Sequence, residues 1–319
     1  MSIFPWSAEQ NKIQLLIRNK ISPIISTKNT NLWVRCTKCD IILYVKHLKD
    51  NHQICFSCDH HLQMNSQERI DSLLDYGTWH PLNEFISPGD LLQGNSYFSY
   101  TERLKKFQEN TGLQDGIQTG NGLLNGIPIA LGILDLYFLN GTVSSVSGEK
   151  LTRLIEYAIQ EGLPLILISS SGGSRMEEGS VSLMQMAKIS SALKLYQSCG
   201  NLLYLSILTS PTTGGSTASF SMLGDLTLSE PKALIGFAGQ RLIRQNEVEK
   251  LPNLFQTAEY LLDHGFIDLI VSRFYLKEAI TQILNLYKTP LFPNLSKSSF
   301  RIQKKLFLID EEKIRRNLY

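Results

Sequence analysis

Apolar residues occupy every second position from 127 to 133, which is the period of a β-strand. Asn125-Gly126 stands directly before this run, and both residues tolerate the positive φ angles of a two-residue hairpin turn. The segment before this pair also has an extended pattern. The sequence therefore predicts a β-hairpin around Asn125-Gly126, in a main domain that begins near Gly116.

Strand-then-helix units follow the hairpin. Two apolar runs, Leu163 to Ser169 and Leu202 to Leu208, each end in a glycine-rich loop. Apolar residues at 183, 186, 189, 193 and 196 then have the spacing of a helix. A third strand is predicted over 233–238, and Thr257 is expected to cap a helix that ends at 263. This alternation of strands and helices indicates an α/β fold.

The residues before the main domain include two predicted helices. The first runs from Ser66, its expected N-cap, to Leu74, with Glu68, Arg69 and Asp71 on the solvent side. The second is a charged stretch around Tyr100 to Phe107. The predicted layout is a lead-in segment (1–30), a cysteine-rich ribbon (31–62), a helical connecting region (63–115), the main domain (116–290) and a basic tail (291–319).

Composition narrows the class of protein. Hydrophobic residues make up 43% of the chain and charged residues 19%, as in soluble globular proteins. No apolar run is long enough to predict a membrane span. The formal net charge of +2 is too small to indicate a nucleic-acid partner by itself.

Four of the five cysteines form two Cys-x-x-Cys pairs, Cys36 with Cys39 and Cys55 with Cys58. Fifteen residues separate the pairs, which is the spacing of a zinc ribbon. Two disulfides are the alternative, but no secretion signal indicates an oxidising compartment. Four thiolates would complete a tetrahedral Zn²⁺ site, so the predicted metal is structural. The neighbouring histidines are expected at the surface: His47, His52, His60 and His61.

Two glycine pairs, Gly172-Gly173 and Gly214-Gly215, each stand between a predicted strand and a helix. Backbone N–H groups in such loops can bind a phosphate or an oxyanion. The alternative is that glycine simply makes the turn. The chain has neither a P-loop motif nor a G-x-S-x-G motif, and beyond His80 its one histidine is His264, near a helix end. If this domain is catalytic, it is therefore expected to use backbone electrostatics.

Four segments together resemble the carboxyltransferase β subunit family of multi-subunit acetyl-CoA carboxylases from bacteria and plastids. The similarity covers roughly residues 30 to 290 and includes the cysteine ribbon. The segments are Ser170-Ser171-Gly172-Gly173-Ser174-Arg175-Met176, Ser182-Leu183-Met184-Gln185-Met186-Ala187-Lys188, Leu208-Thr209-Ser210-Pro211-Thr212-Thr213-Gly214-Gly215 and Glu230-Pro231-Lys232-Ala233-Leu234-Ile235-Gly236-Phe237-Ala238-Gly239.

The resemblance implies a crotonase-like (ClpP/crotonase) spiral fold and a defined reaction. The family transfers a carboxyl group from carboxybiotin, carried on a separate biotin carboxyl carrier protein, to acetyl-CoA. The product is malonyl-CoA, in the first committed step of fatty acid synthesis. The implied partners are an α subunit in an α2β2 assembly, the carrier protein and a biotin carboxylase, which is the component that uses ATP. By this resemblance, Gly172 and Gly173 form a backbone oxyanion hole.

The resemblance also implies substrate-binding residues, and one loop departs from the family pattern. Where the family has Phe-Met-Gly-Gly-Ser-Met-Gly, this chain replaces two glycines with Asn140 and Ser144, which leaves the shape of the loop open. Lys150 and Arg153 either meet a CoA phosphate or solvate a helix. The implied substrate-binding set is Gly141, Lys150, Arg153, Ser171, Arg175, Gly214 and Gly215.

The sequence also favours one cellular location. It lacks transit-peptide character and resembles the plastid members of the family most, which favours the plastid stroma over a bacterial cytoplasm.

Two other functions compete with the carboxyltransferase. One rival is a zinc-ribbon nucleic-acid-binding protein, and RNA contact as a secondary role stays open. The other is a crotonase-type hydratase or CoA hydrolase that would use Glu177 or Glu178 as its acid or base. The phosphate contacts of the first rival would come from Arg35, Lys38, Lys46 and Lys49.

Overall fold

The computed structural model of the protein describes residues 32–89, 100–199, 202–239, 243, 252 and 254–288. The predicted lead-in segment and basic tail lie outside these described residues. The domain boundaries inside them stay predictions. Within the described part of the chain, no helix combines the length and the apolar character that crossing a membrane requires.

The cysteine-rich segment folds as a small ribbon. Strand β1 (Trp33–Arg35) pairs antiparallel with β2 (Ile42–Tyr44), and helix α1 (Val45–Asp50) follows without a break. Leu43 and Leu48 pack with Cys36 and Cys55 to form the small apolar centre of this ribbon. The sulfur atoms are therefore partly shielded from water.

One mixed sheet forms the centre of the main domain. Its strands are β3 (His80–Pro81), β4 (Ile117–Leu124), β5 (Ile127–Leu134), β6 (Leu165–Ser171), β7 (Tyr204–Thr213), β8 (Leu226–Ser229), β9 (Ile235–Gly236) and β10 (Leu269–Ile270). Their order in the sheet is β10-β8-β7-β6-β5-β4-β3, and β9 pairs with the carboxyl end of β7. Strands β5 to β10 pair in parallel, whereas β3, β4 and β5 pair antiparallel.

Helices cover both faces of this sheet, so the central strands are buried on both sides. The helices are α2 (Ser66–Leu73), α3 (Tyr100–Thr111), α4 (Ser145–Glu161), α5 (Ser180–Ser198), α6 (Gly215–Ala218), α7 (Ala258–Asp263) and α8 (Leu276–Lys288). Helices α4 and α5 pack on one face of the sheet, and α2 and α8 pack on the other. Strand β5 contributes to both faces: Ala130 and Leu134 belong to the apolar cluster with α4 and α5, and Ile129 and Leu131 belong to the cluster with α2 and α8.

Two local predictions are confirmed by backbone geometry. Asn125 and Gly126 have φ angles of 48° and 76°, as a tight hairpin turn between β4 and β5 requires. The Thr257 side chain accepts a hydrogen bond from Tyr260 N and caps α7. Short-range chemistry decides both features, so the sequence was sufficient to predict them.

Other local predictions were wrong because distant residues intervene. The N-cap of α2 is Asn65, whose side chain accepts from Glu68 N at 2.7 Å. Ser66 instead donates its backbone N–H and its hydroxyl to Asp135, at 2.8 and 2.5 Å. The pattern also missed β8, and the predicted third strand is confined to the two residues of β9.

A buried carboxylate, Glu230, joins the ribbon to the main domain. One of its oxygens lies 2.8 Å from Arg69 Nη1, and the other lies 2.6 Å from Arg273 Nη2. Arg273 also donates to two ribbon carbonyls, His52 O at 3.1 Å and Leu62 O at 3.0 Å. Both arginines and the glutamate are almost fully buried. Three separate parts of the chain therefore meet at one carboxylate.

This cluster corrects two sequence expectations. Arg69 was expected on the solvent side of its helix, yet it is buried against Glu230. His61 was expected at the surface, yet it is buried too, with its Nδ1 3.5 Å from Glu230 Oε2. Helix periodicity ranks arginine and histidine as polar, and it cannot show that a carboxylate 161 residues away from Arg69 neutralises the charge.

Replacing Glu230 with glutamine should destabilise the fold by about 3–5 kcal/mol, because two buried arginines would lose their counter-charge. Urea unfolding at pH 7 measures this change. Glu156→Gln, on the exposed side of α4, is the control and should leave the free energy of unfolding nearly unchanged. Equal stability of Glu230→Gln and the wild type would contradict the assignment.

The same carboxylate predicts a pH dependence. Burial by itself would raise the pKa of Glu230, but Arg69 and Arg273 hold it well below its usual value. The charged form therefore stabilises the fold above the unfolded-state pKa of about 4.3, and this contribution is lost as the pH falls further. Below this pH, the free energy of unfolding should fall more steeply in the wild type than in Glu230→Gln.

Candidate active site and metal centre

The four ribbon cysteines converge on one point. The Sγ atoms of Cys36 and Cys58 are 3.7 Å apart, those of Cys39 and Cys55 are 3.6 Å apart, and all four lie within 4.8 Å of one another. A tetrahedral zinc ion with Zn–S bonds of about 2.3 Å needs sulfur separations of about 3.8 Å. A disulfide needs about 2.05 Å. The donor set and its spacing therefore fit Zn²⁺, and the cysteines are unpaired.

Two similar turns carry these cysteines. Asp40 N donates to Cys36 O and Asp59 N to Cys55 O, each at 3.0 Å, with both aspartates at positive φ. Burial opposes ionisation of the Cys36 thiol, but backbone N–H groups of Cys39 and Lys38 lower its pKa to about 7. The first turn thus favours a thiolate at Cys36, whereas burial and the neighbouring sulfur atoms raise the pKa of Cys58.

The two glycine pairs lie side by side at the carboxyl ends of β6 and β7. A Cβ atom on Gly173 would lie 3.3 Å from Gly214 Cα and 3.3 Å from Gly215 N. Gly173 and Gly214 also have φ angles of 107° and 67°, which side chains disfavour. The two loops therefore touch through their backbones. This geometry by itself requires glycine at both positions.

Both N–H groups expected to form the oxyanion hole have partners inside this chain. Gly172 N donates to Asn140 O at 2.9 Å, and Gly173 N donates to Ser171 Oγ at 3.1 Å. The adjacent N–H groups of Asn140 and Ser174 have no hydrogen-bond partner among the residues that the structure describes. Neither donor was predicted, because glycine pairs were the only sequence signal used for backbone donors and neither residue is a glycine.

The loop that departs from the family pattern keeps a glycine-like backbone. Leu139, Asn140 and Gly141 have φ angles of 45°, 56° and 61°. Asparagine adopts this left-handed region more readily than most residues, so Asn140 can stand where the family has glycine. No such exchange is open to Gly141, since a Cβ there would lie 2.0 Å from Ser170 O.

Ser144, the second replacement, has a role of its own as the N-cap of α4. Its hydroxyl accepts from Ser147 N at 2.9 Å and donates to Asp115 Oδ2 at 2.8 Å. A serine at an N-cap stabilises the helix more than glycine does. The two departures thus preserve the loop and strengthen the start of the following helix.

The cationic residues of the expected substrate-binding set lie in different environments. Arg153 is exposed and pairs with Glu149 at 2.6 Å. Lys150 is 3% exposed, and burial lowers its pKa. Arg175 is fully buried and contacts Asp115 at 2.8 Å. Of the three, only Arg153 presents its side chain to solvent, and the CoA contacts of all three stay predictions.

Buried hydroxyl groups connect the strands beneath the glycine loops. Ser171 Oγ lies 2.7 Å from Ser216 Oγ, and Ser169 Oγ lies 2.8 Å from Ser221 Oγ. Thr212 Oγ1 donates to Ser169 O at 2.8 Å. These bonds tie β6 to β7 and to the turns after it. Among the expected substrate-binding residues, Ser171 is therefore buried, while Gly214 and Gly215 are partly exposed.

The side chains that could act as acid or base near the loops are already paired. Glu178 is buried and accepts from Tyr100 OH at 2.8 Å, and Glu177 pairs with Arg103 at 2.6 Å. His264 is exposed, and its Nδ1 lies 2.7 Å from Tyr260 O, the carbonyl one turn earlier. The arrangement thus offers backbone donors rather than a free side-chain base.

Solved structures share this architecture. The transcarboxylase 12S structure aligns with a TM-score of 0.58 and 23% identity, over 70% of this chain and 41% of that chain. The Pseudomonas malonate decarboxylase MdcD-MdcE hetero-dimer aligns with a TM-score of 0.53 and 20% identity, over 77% of this chain and 95% of that chain. At such identities the likeness shows the fold alone. That fold is the crotonase-like carboxyl transferase fold, joined here to a four-cysteine ribbon.

Sequence comparison narrows the family. Residues 64–259 match the carboxyl transferase domain. A chloroplast protein of Chlorella vulgaris, named acetyl-coenzyme A carboxylase carboxyl transferase subunit beta, is 56% identical over 100% of this chain and 77% of its own length. The Synechocystis protein of the same name is 48% identical over 97% of this chain and 95% of its own. The chain belongs to the family of acetyl-CoA carboxylase carboxyl transferase β subunits.

Replacing Cys58 with serine should remove the bound zinc, about one ion per chain, because three thiolates hold the ion far less tightly. The ribbon should loosen, and with it the two carbonyl contacts to Arg273. Metal analysis of the purified chain measures the loss. Cys199→Ser, outside the cluster, is the matched control and should keep its zinc. Unchanged zinc in Cys58→Ser would remove the ribbon assignment.

Proposed function

We propose that this chain is one half of a carboxyl transferase site that moves a carboxyl group from carboxybiotin to acetyl-CoA, giving malonyl-CoA. The observation that carries the proposal is the backbone contact between Gly172-Gly173 and Gly214-Gly215. It creates a surface of peptide groups at the carboxyl ends of two parallel strands, in a chain of this family. Malonyl-CoA formation by the assembled enzyme is the experiment that tests it.

The chemistry needs groups that stabilise negative oxygen. Removing a proton from the acetyl methyl group places charge on the thioester oxygen, and release of CO₂ places charge on the ureido oxygen of biotin. The biotin nitrogen can take the proton, so the protein need not supply a base. Backbone N–H groups aimed at these oxygens lower the barrier without changing protonation state.

Gly172 and Gly173 are the proposed oxyanion donors, and each N–H group would have to leave its present acceptor, Asn140 O for Gly172 and Ser171 Oγ for Gly173. An ionised oxygen accepts a stronger hydrogen bond than a neutral hydroxyl does. Gly173 N–H would therefore leave Ser171 Oγ for a substrate oxyanion, and Ser171 would keep its contact with Ser216. The N–H groups of Asn140 and Ser174, which have no partner among the described residues, are additional donors.

The family name of a β subunit supports the presence of other subunits. We propose an α subunit in an α2β2 assembly that completes the site, a biotin carboxylase that uses ATP, and a biotin carboxyl carrier protein. The metal is proposed to be one structural Zn²⁺ in the ribbon. Relatives named as chloroplast proteins support a plastid location. Within the plastid, the proposed location of this chain is the stroma.

The two rival functions have less support. A hydratase or hydrolase would need a free carboxylate near the glycine loops, but Glu178 is bonded to Tyr100 and Glu177 pairs with Arg103. For the nucleic-acid reading, Arg35 pairs with Asp40 and Lys49 with Glu68, which reduces the positive charge of the ribbon. An RNA contact is retained only as a secondary role, and it should weaken steeply with added salt.

The isolated chain should be nearly inactive in malonyl-CoA formation, because the partner subunit contributes part of the site. Adding the α subunit to the same preparation should restore activity, with free carboxybiotin or the carboxylated carrier protein as carboxyl donor. Full activity of the chain alone would contradict the half-site.

Gly172→Val should lower kcat by about 10²-fold, because the added side chain would keep a substrate oxygen away from the N–H group, and this costs about as much as losing one oxyanion donor. Gly172 is exposed, and a Cβ there meets nothing closer than 3.5 Å, so the fold should tolerate the change. Gly173→Val is less informative because its φ of 107° would strain any side chain. The measurement is steady-state kinetics of the assembled enzyme.

Two controls accompany this variant. Gly89→Val adds the same side chain where nothing lies within 4 Å and should leave kcat unchanged. His264→Ala should keep the rate within a few-fold, since no base is assigned there. Loss of turnover in His264→Ala with normal turnover in Gly172→Val would favour side-chain acid–base chemistry instead.

A further inference from the structure

Arg175 directly follows the first glycine loop and is fully buried between two loops. Its Nη1 donates to Asp115 Oδ1 at 2.8 Å. Its Nη2 donates to Thr142 O at 3.0 Å, and its Nε donates to Thr142 Oγ1 at 3.2 Å. The guanidinium also lies over the Phe138 ring, 5.6 Å from its centre. All three guanidinium nitrogens thus have partners inside the protein.

The loop that Arg175 holds is under backbone strain. Leu139 has a positive φ, which a leucine side chain disfavours, and Asn140 lies in the same left-handed region. Three backbone hydrogen bonds join this loop to the glycine loop. They run from Gly172 N to Asn140 O, from Val143 N to Gly173 O and from Arg175 N to Val143 O. The strained loop and the glycine loop therefore form a single backbone surface.

The other end of the arginine contact is also fixed. Asp115, just before β4, receives hydrogen bonds from Ser144 and Ser147 at the start of α4. One Asp115 oxygen thus serves the helix and the other serves Arg175. The guanidinium consequently connects Thr142, in the strained loop, to Asp115 and through it to the start of α4.

We infer that Arg175 is a positioning residue of the carboxyl-transfer site: it holds the 138–142 loop against Gly172-Gly173 and does not itself contact substrate. This inference rests on the proposed function. It takes the place of the expectation that Arg175 binds substrate, because a side chain with no exposed surface offers no donor to a substrate group. A planar guanidinium can bond two groups at once in fixed directions, whereas an ammonium cannot.

Arg175→Lys is the main test because it keeps the positive charge beside Asp115 but loses the Nε–H and Nη2–H groups that bond Thr142. In the assembled enzyme, kcat should fall by about 10²-fold, the effect expected for a displaced site. KM for acetyl-CoA and the zinc content should stay close to wild type. Arg103→Lys, on a partly exposed arginine that pairs with Glu177, is the matched control and should leave kcat and KM unchanged.

Hydrogen–deuterium exchange of the 138–144 segment is a readout that does not depend on activity. Exchange should be faster in Arg175→Lys and unchanged in Arg103→Lys. A raised KM with unchanged kcat would show that Arg175 binds substrate and would overturn the inference. So would a parallel loss of melting temperature and active fraction with normal kcat per folded chain, since the role would then be structural only.

A double-mutant cycle asks whether Arg175 acts through the loop. Thr142→Val removes the hydroxyl that accepts from Arg175 Nε. The effect of Arg175→Lys on kcat should be smaller in the Thr142→Val background, because one of the two contacts between Arg175 and Thr142 is already lost, while the bond to Thr142 O remains. Additive effects would overturn the inference. Absence of malonyl-CoA from the wild-type complex would instead overturn the proposed function and the catalytic role with it, while faster exchange in Arg175→Lys would still show that the side chain holds the loop.

Discussion

Direct contact between two backbone segments, at Gly173 and Gly214, is the constraint on which the candidate site depends. A hypothetical Cβ on Gly214 would lie 3.1 Å from Gly173 Cα, and both glycines have positive φ angles, so a side chain at either position would be crowded and strained. Because the loops touch, peptide groups rather than side chains form the surface between them. A surface of this kind can stabilise an oxygen anion without a general base. The rest of the domain holds these two loops in place.

Buried charge holds the parts together around this contact. Asp115 and Arg175 fix the loops beside the glycine pairs, and Glu230 with Arg273 fixes the ribbon to the main domain. Glu230 is also close in sequence to β9, whose Gly236 carbonyl accepts from Gly214 N at 3.1 Å. The segment 230–236 therefore contacts both His61 of the ribbon and the second glycine loop. Removing a single member of either buried pair would leave an uncompensated charge and destabilise the folded protein.

Local chemistry explains which elements the sequence could predict. The Asn125-Gly126 hairpin, the Thr257 cap and the convergence of four cysteines depend on residues near one another in the chain. Strand β8 was missed because its four residues carry too short a pattern, and they form a strand by pairing with β7 and β10. Residues 1–31 and 289–319 lie outside the described part of the chain, so the predicted lead-in and tail stay predictions.

The sequence by itself determined the zinc-ribbon spacing, the alternation of strands and helices, and the glycine pairs at two strand ends. Tertiary structure alone decided that these pairs touch, that Arg69 and His61 are buried, and that Arg175 faces inward. The physical reason is that burial of a charge depends on its counter-charge, and here the partners are distant in the chain: Arg69 and Glu230 are separated by 161 residues. Hydrophobic periodicity shows which face of a helix is polar, but only packing shows whether that polar face meets water or a carboxylate.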